Sequence, residues 1–233
     1  MDIHVAGPLA SSPRWVLRAE PPRTDQELLA AELRDVLSSI DHSGGGSVQL
    51  WIPAVTPDDD RTATALGFIG YRDLWQLRTS LPTDPTDLPV RMFDPDRDLE
   101  DFLEVNARAF AWHPEQGRLT AEDLRATMAE RWFDPAGFLL HHRDGKLAGF
   151  CWTKVHRDVE PALGEIYAIA VDPAFHGQGL GDSMTRAGLD HLAAEGLSIA
   201  MLYVESDNHA ANRTYTRIGF SRHHTDRAYR IDR

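Results

Sequence analysis

The 233-residue sequence is poor in cysteine and in basic side chains. Its single cysteine, Cys151, excludes an internal disulfide and fits a reducing compartment. Lysine and arginine number 24 against 36 aspartates and glutamates, and the net charge of −12 argues against binding to nucleic acid or to anionic membranes. No apolar run is long enough to span a bilayer, and no charged-then-apolar leader is recognisable. We therefore expect a cytoplasmic protein.

Three common kinds of site are also missing from the sequence. The histidine pairs His141-His142 and His223-His224 are adjacent, so in a strand their rings point to opposite faces, and no His, Cys and Asp spacing suits zinc. The Gly-x-Ser-x-Gly elbow of a hydrolase does not occur, and no Gly-Lys-Ser/Thr of a P-loop follows a glycine-rich turn. We expect no bound metal and neither of these enzyme classes.

A strand, a glycine-rich turn and a helix follow one another over residues 164–192. Glu165 leads into an apolar run of strand length that Asp172-Pro173 ends. Glycines then alternate at positions 177, 179 and 181, and helical spacing gives the following segment one core face: Leu180, Met184, Ala187, Gly188 and Leu192. Glycines let a ligand approach the backbone, and a helix N-terminus attracts anions, so a pyrophosphate is the expected guest. A tight turn without a ligand fits the bare pattern equally well.

A second motif follows about twenty residues on. Residues 200–204 form an apolar strand, Glu205-Ser206-Asp207-Asn208 follows it, and a short helix over residues 210–217 leads into Ile218-Gly219-Phe220. Together the two motifs resemble the GNAT family of acetyl-CoA-dependent N-acetyltransferases, over roughly residues 88–233. His176 departs from the Gln or Arg that is usual in the family. The resemblance implies an α/β fold, an α+β mixed sheet flanked by helices, with acetyl-CoA as co-substrate.

The GNAT resemblance also implies where the site lies. Acetyl-CoA is expected on the strand end, the glycine-rich turn and the short helix, at Ile169, Ala170, Val171, His176, Gly177, Gln178, Gly179, Leu180, Gly181, Asp182, Asn208, His209, Ala210, Ala211, Asn212 and Arg213. Glu165, on the strand beside the cofactor turn, is the expected general base, and a solvated strand-end carboxylate is the alternative. Tyr215 is the expected general acid, and a core aromatic is the alternative.

A narrower resemblance rests on four segments: residues 110–117 with His-Pro-Glu-Gln-Gly, residues 152–156, residues 164–167 and residues 202–208. These resemble the mycothiol synthase family, which has tandem GNAT domains of which the second is active. The resemblance implies acetyl transfer to a small-molecule amine, the cysteinyl amine of cysteinyl-glucosaminyl-inositol, in the last step of mycothiol biosynthesis. The polar groups expected at this substrate are Glu115, Lys154, Glu165 and Tyr203. We expect a monomer.

An internal repeat indicates tandem organisation. Residues 62–68 match residues 214–220. Both segments lie within the same order of predicted elements, which is helix, loop, strand, short helix and strand. In the first copy no glycine-rich turn precedes the long helix, and Ala63 stands in the place of Tyr215. We expect a partial, non-catalytic GNAT-like domain over residues 1–80, about half present, a linker over residues 81–90, and a catalytic domain over residues 88–233.

Several local expectations accompany this organisation. Residues 1–13 are expected to be irregular, and Asp25, Asp98 and Thr120 are expected to cap helices. Cys151 lies in a predicted strand and is expected to fill the core rather than react.

Two alternative functions stay open on the sequence. A GNAT enzyme acting on a peptide or protein amine would share every cofactor residue and differ at Glu115, Lys154 and Tyr203. A non-catalytic acetyl-CoA sensor would bind the cofactor without turnover, and the presence of Glu165 and Tyr215 argues against it.

Overall fold

In a computed structural model the protein is described over residues 3–7, 14–111 and 116–233, without the side chain of Gln116. The chain packs as two compact units: unit 1 takes Met1–Gln76, Val204–Asn208 and Arg222–Arg233, and unit 2 takes Leu77–Tyr203 and His209–Ser221. The units are thus not two consecutive segments of chain. The boundary expected near residues 81–90 stays a prediction. In the part of the chain that is described, no helix has the length and apolar character needed to cross a membrane.

Unit 1 contains helices and a mixed sheet. Its elements are β1 (Ile3–Ala6), β2 (Arg14–Ala19), α1 (Gln26–His42), β3 (Ser47–Ile52), α2 (Pro57–Ala65), the first part of β4 (Ile69–Ser80) and nearly all of β10 (Ser221–Asp232). β1 is antiparallel to β2, β2 is parallel to β3, and β3 is antiparallel to β10. The expectation of an irregular start is wrong for β1, because pairing with β2 orders these residues.

The helices of unit 1 begin where side chains satisfy their first N–H groups. Asp25 accepts a hydrogen bond from the Leu28 N–H at 3.0 Å and caps α1, as predicted. Thr56 and Asp59 form a capping box at the start of α2. One apolar stripe of α1 then joins the core of the unit: Leu29, Leu33, Leu37 and Ile40. Each fully buried aliphatic side chain contributes about 1.5–3 kcal/mol.

Unit 2 has a longer set of elements. They are β5 (Arg91–Met92), α3 (Pro95–Ala109), α4 (Ala121–Met128), β6 (Phe138–Arg143), β7 (Lys146–His156), β8 (Leu163–Val171), α5 (Leu180–Ala194), most of β9 (Ile199–Glu205) and α6 (His209–Ile218), with short 3-10 helices at Gln116–Arg118, Pro135–Gly137 and Pro173–Phe175. β5 to β8 pair antiparallel in order, and β8 pairs parallel with β9 across α5. This mixed sheet with helices confirms the predicted fold class.

The start of α3 corrects one prediction. Asp94, not Asp98, is the N-cap, and its carboxylate accepts from the Asp96 N–H at 3.1 Å. Asp98 lies buried in the first turn, where both guanidinium NH groups of Arg91 reach it at 2.6 Å. That ion pair holds the pKa of Asp98 below its usual range. The helix therefore begins before Asp98, at Pro95, since proline fits the first position of a helix. Thr120 caps α4 as predicted.

Close packing of α5 on the sheet fixes the position of its N-terminus. Gly188 lets the helix approach β7 and β8: an added Cβ would lie 2.5 Å from Cys151 Sγ and 2.7 Å from Ile166 Cδ1. Cys151 is fully buried there, and burial raises the pKa of its thiol to about 12. A thiol in that state is an inert core side chain, which agrees with the role expected for Cys151.

Candidate active site

The site begins where β8 and β9 part. β8 is paired with β7 along its length, from His156–Leu163 to Gly149–Val171. Among the described residues, its parallel pairing with β9 consists of Gly164–Ala200 and Glu165–Met201, at the start of both strands. The last residues of β8, 169–171, lie beyond this pairing, so their backbone groups on that side are placed to bond an extended ligand.

The glycine-rich turn leads from β8 to an open helix N-terminus. Gly179 is the N-cap of α5 with φ 76°, and no side chain caps the helix. Gly177 also has a positive φ, 77°, which L side chains rarely adopt. An added Cβ at Gly177, Gly179 or Gly181 would meet nothing within 4 Å, so space lies open in front of the helix. Uncapped first-turn N–H groups facing open space suit an anion such as a pyrophosphate.

Charged side chains surround this turn, and one of them is an acid. Asp182 accepts from Arg186 Nε at 2.7 Å and from Arg217 Nε at 3.0 Å. Burial opposes its ionisation, but the two guanidinium groups prevail and hold the pKa of Asp182 below its usual range. Gln178 accepts a hydrogen bond from Arg143, which comes from the end of β6. The Asp182 carboxylate is therefore neutralised and anchors two cations beside the anion site.

Glu165 is buried rather than solvated. The residue is 9% exposed, and its Oε2 lies 2.7 Å from Nε2 of His156. It stands directly opposite Lys154 in the β7–β8 register, which puts both side chains on the same face of the sheet. The alternative of a solvated strand-end carboxylate does not describe this residue.

Tyr167 follows Glu165 by two residues and shares its face of the sheet, at the site of a β-bulge. The register of β7 and β8 shifts between Trp152 and Thr153, which leaves Tyr167 as the extra residue of β8. Burial, and then the charge of Glu165, raises the pKa of the Tyr167 phenol. Tyr167 thus stands close enough to Glu165 to feel its charge.

Lys154 is enclosed by aromatic rings. Its Nζ lies 4.4 Å from the centroid of Trp132 and 5.6 Å from that of Tyr167, both within cation–π range. Trp152 packs edge-on to Tyr167, with centroids 5.2 Å apart. The buried Nε1 of Trp152 has no hydrogen-bond partner among the described residues. Two donors, Nζ and Nε1, therefore lie in one aromatic wall on the face that carries Glu165.

Tyr215 lies on α6 and is 8% exposed, with its ring packed against Phe220. Burial, and then the nearby Cys151, raises the pKa of the phenol. A phenol with its ordinary pKa is already protonated at neutral pH, and burial keeps this one so, as a proton donor must be. The contact with Phe220 equally suits the core role considered from the sequence.

The remaining predicted residues are spread more widely. Tyr203 is 40% exposed on β9, and His176 Nε2 lies 3.0 Å from the Val171 carbonyl oxygen. Residues 209–213 form the first turns of α6, whereas Asn208 groups with unit 1. Glu115 lies outside the described residues. The roles expected for these residues stay predictions.

One cluster of metal-ligand types occurs in the described part of unit 2. Asp134, His191 and Glu195 offer ligand atoms within 4.8 Å of one another, but Glu195 is also paired with Arg157 at 3.0 Å. No ion is present, and the expectation that the protein binds no metal stays a prediction.

Sequence reasoning missed the partners of the predicted groups. Trp152, Lys154 and His156 alternate along β7, so a period of two was a sufficient signal that they share a face. The same period places Tyr167 on the face of Glu165, but nothing in the sequence marks the bulge at Tyr167 or the contact of Arg143 with a turn 35 residues later.

The profile of the acetyltransferase (GNAT) family matches residues 99–220. A mycothiol acetyltransferase of Thermobispora bispora is 46% identical over 204 residues, 84% of this chain and 69% of that protein. A mycothiol acetyltransferase of Streptomyces griseus subsp. griseus is 47% identical over 195 residues, 81% of this chain and 63% of that protein. The chain thus spans about two thirds of the length of these relatives.

Solved structures show the same fold at low identity. A GCN5-related N-acetyltransferase from Sphaerobacter thermophilus superposes with a TM-score of 0.77 at 20% identity, over 99% of this chain and 76% of that one. A tandem GNAT protein from the clavulanic acid biosynthesis pathway gives a TM-score of 0.67 at 15% identity, over 94% of this chain and 75% of that one. The profile match and the identity to the mycothiol acetyltransferases establish that this chain belongs to the acetyltransferase (GNAT) family.

Proposed function

We propose that the protein is an N-acetyltransferase that moves the acetyl group of acetyl-CoA to the cysteinyl amine of cysteinyl-glucosaminyl-inositol, in the last step of mycothiol biosynthesis. The observation that carries the proposal is a buried carboxylate, Glu165, on the strand that leads into the open helix N-terminus of α5. The relatives' name, mycothiol acetyltransferase, supports the acceptor. We also propose a cytoplasmic monomer.

The residues of the glycine-rich turn fit acetyl-CoA. Its pyrophosphate would meet the uncapped N–H groups of α5, its pantetheine arm would follow the backbone of residues 169–171, and residues 209–213 would line the same ligand. When bound, acetyl-CoA supplies an activated thioester. We include Asn208 in the proposed acetyl-CoA site only because of its position in the sequence motif.

Two side chains of this chain move the protons that acetyl transfer requires. Glu165 takes up the proton that the amine loses as the new C–N bond forms. Tyr215, held protonated by burial, gives a proton to the sulfur that departs as the C–S bond breaks. An N–H group of β8 would bond the thioester oxygen.

Acceptor recognition falls to the aromatic wall and its donors. Lys154 offers hydrogen bonds to a polyhydroxylated ligand, while the rings of Trp132 and Tyr167 offer apolar faces to its sugar. Tyr203 and Glu115 are the further acceptor contacts expected from the sequence.

The test is an acetyl-transfer assay with acetyl-CoA and cysteinyl-glucosaminyl-inositol, with the product read by mass because the acceptor carries its own thiol. One acetyl group is expected on nitrogen, and Glu165→Gln is expected to lower kcat by about 10²–10⁴-fold. Glu195→Gln, a surface carboxylate of the same unit, is the matched control and is expected to keep the parent rate.

Failure to form product while acetyl-CoA binds would refute the proposed acceptor, and peptide amines would then be assayed. Failure to bind acetyl-CoA would refute the cofactor site itself.

A further inference from the structure

His156 carries no role in the function proposed above, yet it is bonded to the proposed base. Its Nε2 lies 2.7 Å from Glu165 Oε2, a distance typical of a charge-assisted hydrogen bond. The exposed fraction of the two side chains is 23% for His156 and 11% for Glu165, so water screens the contact only in part. A carboxylate held this way has one oxygen committed and one oxygen free.

The register of the sheet explains why His156 makes this contact. His156 pairs with Leu163 and Lys154 pairs with Glu165, which makes His156 the diagonal neighbour of Glu165 on the same face. Lys154, the directly opposite residue, instead holds its ammonium over Trp132. Among the described residues, His156 is the side chain that forms a hydrogen bond with the Glu165 carboxylate.

Four titratable side chains of the described strands share the face of Glu165. They are Lys154 and His156 on β7, Tyr167 on β8 and Tyr203 on β9, which lies two residues beyond Met201, the partner of Glu165. Lys154 holds its ammonium over Trp132 and near Tyr167 rather than on the carboxylate. His156 differs from them because it fixes the direction of the carboxylate.

We propose that His156 is a positioning residue for the general base. It donates Nε2–H to Oε2 of Glu165 and thereby turns Oε1 toward the acceptor amine. The amine proton passes to Oε1 as the C–N bond forms, and the Nε2–H bond to Oε2 is kept throughout. This inference rests on the proposed function.

The experiment compares His156→Ala, which removes the donor, with His156→Gln, whose amide can donate from nearly the same place without titrating. We expect His156→Ala to lower kcat about 10-fold or more, as suits the loss of one hydrogen bond to a charged group. The KM for acetyl-CoA is expected to stay unchanged, because His156 is not part of the proposed cofactor site. His156→Gln is expected to recover kcat at neutral pH to within about threefold.

Two controls separate positioning from a structural role. His191→Gln changes another histidine that lies near a carboxylate in unit 2, with Nε2 3.5 Å from Asp134 Oδ2, and is expected to keep the parent kcat. In the double variant His156→Ala/Glu165→Gln, kcat is expected to fall no further than in Glu165→Gln alone, because His156 acts only through Glu165.

Parent-like kcat in His156→Ala would overturn the inference, and so would losses that add in the double variant. If His156→Ala does not fold, His156→Gln decides: a kcat far below that of the parent with normal folding refutes the positioning role. An inactive parent, or a fully active Glu165→Gln, defeats the proposed function itself and the inference with it.

Discussion

The long helices of the two units start in opposite ways although each connects two parallel strands. In unit 1, α1 joins β2 to β3, and the carboxylate of Asp25 caps its first turn. In unit 2, α5 joins β8 to β9 and begins at Gly179 without any side-chain cap. In α1 the Asp25 carboxylate already takes one of the first-turn N–H groups, whereas no side chain caps α5, which is why we propose the anion site at the helix of unit 2.

The short helices of the two units end alike. The Phe68 N–H bonds the Ala63 carbonyl at 3.1 Å, and the Phe220 N–H bonds the Tyr215 carbonyl at 3.0 Å. The glycines that precede these phenylalanines both have positive φ, 89° and 112°. Ala63 and Tyr215 thus hold the same place in the same helix ending. The same helix ending thus occurs in the unit that carries the proposed catalytic tyrosine and in the unit that does not. The two units differ in how the long helix begins and in this one side chain.

The largest expected effect comes from removing the hydroxyl of Tyr215, a group that Ala63 lacks at the same place in unit 1. Tyr215→Phe keeps the packed ring and removes only the hydroxyl, so we expect kcat to fall about 10²–10³-fold with little change in acetyl-CoA affinity. Steady-state kinetics with product mass, together with calorimetric binding of acetyl-CoA, checks this. Parent-like turnover would leave Tyr215 as the core aromatic that its contact with Phe220 also allows.

A smaller effect is expected from the glycine that opens α5. Gly179→Ala places a side chain at φ 76° in front of the helix and is expected to weaken acetyl-CoA binding about tenfold. Gly196→Ala is the matched control, because Gly196 follows the same helix at φ 80° and its Cβ would also meet nothing within 4 Å. Both variants are expected to lose about 1 kcal/mol of stability. Equal affinities in the two variants would contradict an anion site at Gly179.

The smallest effect is expected from opening a capped helix in unit 1. Thr56→Ala removes the hydroxyl that accepts from the Asp59 N–H at 3.2 Å and breaks the capping box of α2. We expect a loss of about 1 kcal/mol in the free energy of unfolding, measured in urea, with unchanged acetyl-CoA affinity and kcat. A change in turnover would show that unit 1 does more than the partial, non-catalytic domain expected from its sequence.

Much of this architecture could be predicted from local signals. Apolar periodicity predicted α5 and its buried stripe, and the run after Glu165 predicted β8. Turn and cap chemistry placed Asp25 and Thr120 correctly at helix starts. The prediction for Asp98 was wrong because an acidic residue before an apolar stripe can either cap the helix or form a buried ion pair in its first turn. Asp98 forms the ion pair, and Asp94 is the cap.

The surroundings of the proposed base could not be predicted in the same way. The contact of His156 with Glu165 depends on which residues of β7 and β8 face each other, and a bulge at Tyr167 changes that register within the strand. Register is set by the packed sheet as a whole, whereas a window of sequence reports only alternation. The sequence indicated Glu165 as the base by its position before the turn, but it did not predict that this side chain is buried.

The pairing of β3 with β10 has a consequence for how the protein is made. Tyr229, buried in the core of unit 1, donates to Asp60 from 169 residues further along the chain. At the usual rate of synthesis, roughly 10–30 s separate the two residues at the ribosome. During that interval β3 has an uncovered edge, which is the kind of surface on which strands from other chains aggregate. Unit 1 begins the chain, yet it is completed only after nearly all of unit 2 has been translated.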